Sequence, residues 1–119
     1  MSKEIVRYDP DQRLSDMVEY DGRLYLAGQV GEDYKADAKG QTASILRQID
    51  KLLARGGSDK SKILSAVVYV ADMRLKPKMD EAWMEWMDPK SSPARATVEA
   101  RLGSADTLVE IMCVAAKSP

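Results

Sequence analysis

The stretch "SSPARATVEARLGSADTLVEI", residues 91–111, reads as strand, turn, strand. Alternation places Arg95, Thr97, Glu99 and Arg101 on one face and Ala96, Val98 and Ala100 on the other, the period-two pattern of a half-buried strand. Gly103-Ser104-Ala105-Asp106 is made of turn-forming residues, and a second alternating run follows, with Leu108, Glu110, Met112 and Val114 on one face. The expected strands are about Ala94–Leu102 and Thr107–Ala116. Glu110 is then a single carboxylate among apolar residues, and a buried carboxylate must be paired or have its proton affinity raised.

Working back toward the N-terminus, Pro77 opens a helical pattern with Met79, Ala82, Trp83, Trp86 and Met87 on one stripe, ended by Asp88-Pro89. That Met/Trp stripe is read as core packing, as is Tyr69. "KILSAVVYVAD", Lys62 to Asp72, is mostly apolar and suits a strand in the middle of the sheet, covered on both faces. From Ala38 to Arg55 the apolar positions Ile45, Leu46, Ile49, Leu52 and Leu53 recur at helical spacing, and Gly56-Gly57 supplies a stop. Before that, "EIVRYD" and "LSDMVEYDGRLYLAGQV" carry β-branched and aromatic residues, and Asp21-Gly22 is the signature of a tight hairpin. The order is β-β-β-α-β-α-β-β in one domain, residues 1–119: an α+β fold with a mixed β-sheet and two helices packed on one face. The other face is left without helices, and a homo-oligomer would cover it.

The composition narrows the chemistry. Eighteen Lys and Arg residues nearly balance nineteen Asp and Glu residues, so no basic block is present to neutralise phosphates or an anionic membrane. No nucleic acid and no membrane partner is expected, and the lack of an apolar leader or span points to the cytoplasm. The chain has no histidine, which removes Ser-His-Asp and Cys-His catalysis and the HExxH zinc site. Its lone Cys113, inside "VEIMCVAA", is expected to be a buried, inert thiol. No motif for a nucleotide, metal or redox cofactor is present, so no cofactor is expected.

Arg95 with Glu110 admits two readings. One is a structural ion pair between neighbouring strands; the other is a site in which Arg95 holds a substrate carboxylate by a bidentate pair of hydrogen bonds and Glu110 positions or deprotonates a water. Glu99 and Arg101, although on the Arg95 face, read as a solvated or intersubunit pair outside the site.

"PARATVEARL...DTLVEI" resembles the C-terminal signature of the RidA (YjgF/YER057c/UK114) family, and "LYLAGQV" resembles that family's early strand ending in Gly-Gln. The resemblance extends over nearly the whole chain, including "GGSDKSKILSAVVYVADM" and the helix with Trp83 and Trp86. It implies a chorismate-mutase-like fold, a homotrimer with sites between subunits, and an imine/enamine deaminase. Such an enzyme hydrolyses 2-aminoacrylate-type products of pyridoxal-phosphate enzymes to 2-oxo acids and ammonia. On that resemblance Arg95 binds the substrate carboxylate, Glu110 orients the attacking water, Thr97 stands where many members carry cysteine, and the backbone of Gly28 and Gln29 lines the pocket. Many active members carry a tyrosine near the start of the second strand, where this chain has Leu14 or Ser15, so the resemblance is to a divergent branch that retains the arginine. Tyr20, Tyr25 and Tyr34 are the tyrosines available to replace it. The alternative is a non-catalytic binder of small carboxylates such as 2-oxo acids. An endoribonuclease or translation inhibitor ranks lower, because neither histidine nor a basic patch is present.

Overall fold

The computed structural model describes residues 3–119. Six strands and two long helices follow in the expected order: β1 (Val6–Tyr8), β2 (Met17–Tyr20), β3 (Arg23–Val30), α1 (Ala38–Arg55), β4 (Ile63–Val70), α2 (Lys76–Trp86), β5 (Ala94–Glu99) and β6 (Val109–Ala116). They form one sheet in the order β1-β2-β3-β6-β4-β5. All pairings are antiparallel except β4 with β5, which α2 joins as a crossover.

Local chemistry explains the element ends. The β2–β3 turn pairs Tyr20 with Arg23, and Asp21 and Gly22 take φ of 51° and 79°, the two left-handed residues that such a hairpin needs. Asp37 caps α1 by accepting a 2.8 Å hydrogen bond from the Gly40 N–H. The buried stripe of α1, with Ile45, Leu46, Ile49 and Leu53, lies on Leu24, Leu26, Val68, Ile111 and Cys113 of the sheet, and Met79 and Trp83 of α2 complete the core. Each such aliphatic side chain contributes about 1.5–3 kcal/mol by leaving water.

The molecule measures 43 × 38 × 20 Å, thin enough for one helical layer on one sheet and no second layer behind it. The uncovered face carries Val18, Tyr25, Val67, Val98, Met112 and Val114 by strand alternation. Tyr25, Val98 and Met112 are each about two-fifths exposed. This corrects the reading of β4 as covered on both faces: its partners flank it on both edges, but Val67 and Tyr69 look out from the open side. Its apolar character matches a surface that needs a partner as well as one packed by helices.

Two further corrections concern the C-terminal strands. β5 stops at Glu99, so Arg101 is not on the strand face of Arg95, and β6 begins at Val109. The two strands are consecutive in sequence but not neighbours, because β4 lies between them. The crossover through α2 sets β5 beside β4 in parallel, and β6 can then pair only with the other edge of β4.

Candidate functional site

The expected site residues fall into two groups on opposite faces of the sheet. Arg95 stands opposite Ala66 and Thr97 opposite Val68, both of them buried beneath the helices, so Arg95 and Thr97 point to the helical side. Gln29 faces Ile111 across the β3–β6 pair and shares that side. Glu110 faces Tyr69 and lies on the open side with Gly28. An ion pair between Arg95 and Glu110 within one chain is therefore ruled out: a strand and the thickness of the sheet separate them.

Arg95 sits at the sheet edge under α2. Its Nη2 donates a 2.7 Å hydrogen bond to Asp80 Oδ1, and its guanidinium carbon is 5.0 Å from the centre of the Trp83 ring. Met79 Sδ is 3.9 Å from Nη1. The second Asp80 oxygen accepts a 2.7 Å bond from Lys76 Nζ, one turn earlier on α2. Burial raises the Asp80 carboxyl's proton affinity, but the hydrogen bonds from Lys76 and Arg95 outweigh it and hold the group below the usual carboxylate range. The arrangement is a partly buried guanidinium lying on an aromatic ring, with donors left over.

The open-side group is built on a strand irregularity. Between Leu26 and Gln29 the β3–β6 register shifts, so that Ala27 and Gly28 oppose Met112 alone. Glu110 lays its carboxylate over Gly28, where an added Cβ would collide with the carboxylate oxygen. Among the described residues no donor pairs with this carboxylate. It lines a shallow depression of about 280 Å³ with Gly28, Tyr69, Arg101, Leu102 and Met112. Arg101, expected to lie outside the site, is thus beside Glu110. Tyr69 also borders it, whereas Tyr20, Tyr25 and Tyr34 do not, nor does the half-exposed Leu14.

Gln41 is a further residue that sequence reasoning passed over. Fully buried on α1, it donates to Ala36 O at 3.1 Å and Asp106 O at 2.9 Å and accepts from the Leu108 N–H at 2.9 Å. It fixes the entry to β6 two residues before Glu110. Its position four residues before Ile45, inside the apolar stripe of α1, was the available signal. Cys113 is buried as expected, and burial pushes its thiol up to about 12. Among the described residues no group of three His, Cys, Asp or Glu side chains could hold a metal ion, and no helix is long and apolar enough to cross a membrane.

Comparison with known proteins follows the same lines. A family model described as endoribonuclease L-PSP matches residues 4–117. A RutC family protein of Haemophilus ducreyi is 46% identical over 112 residues, covering 94% of this chain and 96% of the relative, and the RutC family protein YoaB of Escherichia coli K12 is 44% identical over 94% and 97%. The crystal structure of a YjgF-family protein from Neisseria meningitidis superposes with a TM-score of 0.95 at 39% identity, covering 98% of both chains. With the matching fold, the chain belongs to the endoribonuclease L-PSP family, that is, the YjgF/RidA family.

Proposed function

We propose that the protein is a cytoplasmic homotrimer that hydrolyses 2-imino acids and their enamine tautomers to 2-oxo acids and ammonia, in sites completed by two chains. The observation that carries this reading is the unpartnered Glu110 carboxylate above Gly28, on an apolar sheet face that a second copy would cover. In the reaction, the carboxylate takes a proton from a water whose oxygen adds to the imine carbon. The proton is returned to nitrogen; the hydroxyl of the resulting carbinolamine then gives up its proton to the carboxylate as its oxygen forms the carbonyl and the carbon–nitrogen bond breaks, releasing ammonia and the 2-oxo acid. An iminium carbon is already electrophilic, so orientation of the water and fixation of the substrate carboxylate supply much of the catalysis. Arg95 of a neighbouring chain provides that fixation, with Thr97 beside it and the Gly28–Gln29 backbone as part of the wall.

The test is the rate of 2-iminopropionate hydrolysis, with the imine generated in situ by an amino-acid oxidase. Arg95→Ala is expected to abolish acceleration, and Glu110→Gln to lower kcat while leaving carboxylate binding. Equal rates for wild type and Arg95→Ala would sink the reading. A second reading, carboxylate binding without turnover, is favoured by Leu14 and Ser15 standing where a tyrosine is common in the family. It expects saturable 2-oxo acid binding, lost in Arg95→Ala, with no imine turnover by the wild type.

A further inference from the structure

The Arg95 clamp carries machinery of its own on α2. A long cation at a sheet edge has many rotamers, and immobilising it at the moment of binding weakens the complex. Here that freedom is already removed. Asp80 holds Nη2 at 2.7 Å, Trp83 lies under the guanidinium plane at 5.0 Å, and Met79 backs Nη1. Arg95 and Asp80 are each only one-fifth exposed, so the contact is screened less than a surface pair.

An aspartate on a substrate-binding arginine would by itself cancel the charge that attracts the substrate. Lys76 answers that problem, since its ammonium takes the other Asp80 oxygen at 2.7 Å. Two cations on one carboxylate leave the cluster with a net positive charge. Asp80 takes one Nη2 hydrogen and Met79 Sδ takes a weak one from Nη1, so Nε and the remaining Nη hydrogens are left for a bidentate pair with a second carboxylate.

Resting on the proposed deaminase or carboxylate-binding reading, we propose that Asp80 is the positioning residue of the Arg95 clamp, and that Lys76 keeps that clamp cationic. Asp80 does not touch the substrate. Its effect is on carboxylate affinity and not on the hydrolytic step.

The experiment compares wild type, Asp80→Ala, Asp80→Asn and Arg95→Ala in 2-iminopropionate kinetics and in calorimetric titration with 2-oxobutanoate. Asp80→Ala is expected to raise KM, and to weaken 2-oxobutanoate binding, by about tenfold with kcat close to wild type. Asp80→Asn, which keeps an acceptor for Nη2, is expected to fall between the two, and it serves as the test if the alanine variant fails to fold. Unchanged KM and unchanged affinity, even with lowered thermal stability, would make the ion pair structural only and overturn the proposal. Tighter binding in Asp80→Ala would also overturn it, because Asp80 would then be competing with the substrate. Loss of binding in Arg95→Ala beside an unaffected Asp80→Ala rejects this inference alone. An Arg95→Ala variant that binds and reacts like wild type rejects the clamp and the inference together.

Discussion

A methyl group at residue 28 would occupy the space now filled by the Glu110 carboxylate. Gly28→Ala is therefore expected to swing that carboxylate aside and, in the proposed hydrolysis, to lower kcat by about a hundredfold, the scale set by an ångström of misplacement. KM should change less than kcat, because the added methyl meets Glu110 and not the Arg95 clamp that holds the substrate carboxylate in the proposed site; steady-state kinetics on 2-iminopropionate reads both values. Full activity in this variant would mean that the water is held elsewhere. Cys113 gives a second prediction at the same scale. Burial pushes its thiol up to about 12 and leaves it 2% exposed, so an aromatic disulfide reagent at pH 8 should label it only as the protein unfolds. Alternation along β6 was enough to single out Glu110 in the sequence, since a carboxylate between Leu108 and Met112 breaks an apolar face. Asp80 was harder to see, because its meaning depends on Arg95, fifteen residues away on another element.

α1 and α2 differ in how much of their role is local. The whole of α1, Ala38–Arg55, was readable because its stripe and its glycine stop are properties of one segment. Ile49, 1% exposed at the centre of that stripe, should cost about 2–5 kcal/mol when cut to alanine, as measured by denaturant unfolding. α2 also carries the strap from Lys76 through Asp80 to β5, and this strap has a pH signature. The Asp80 carboxyl lies below its ordinary value of 3.8 in the folded chain, so the unfolded chain binds its proton first as pH falls. Its contribution to stability is complete above about pH 4 and is lost as the pH drops through the folded value. Acid titration of unfolding should therefore show a shallower decline for Asp80→Asn than for wild type. Strand pairing was the part of the fold that the sequence hid. Two runs joined by a turn suggest a hairpin, yet β4 enters between β5 and β6 because α2 returns the chain on its outer edge.

As a whole the molecule is a slab 20 Å thin with helices on one side and an apolar sheet on the other. Met112 lies in that sheet face, about two-fifths exposed beside Glu110. In the proposed trimer this face is where copies meet, so Met112→Glu should place a charge there, shift the mass measured by sedimentation from trimer to monomer, and remove imine hydrolysis with it. A monomer that stays active would mean that one chain suffices. The separation of Arg95 and Glu110 by the sheet reaches further, into the behaviour of mixtures. If the site is shared between chains as proposed, subunits lacking the arginine and subunits lacking the glutamate should each be inactive alone, yet each should still contribute the half the other has lost. Refolded together in equal amounts, they should form hybrid rings in which about a quarter of the sites are intact. In a cell expressing both, the two lesions would complement, each recessive to the other, as lesions in a site built within one chain would not.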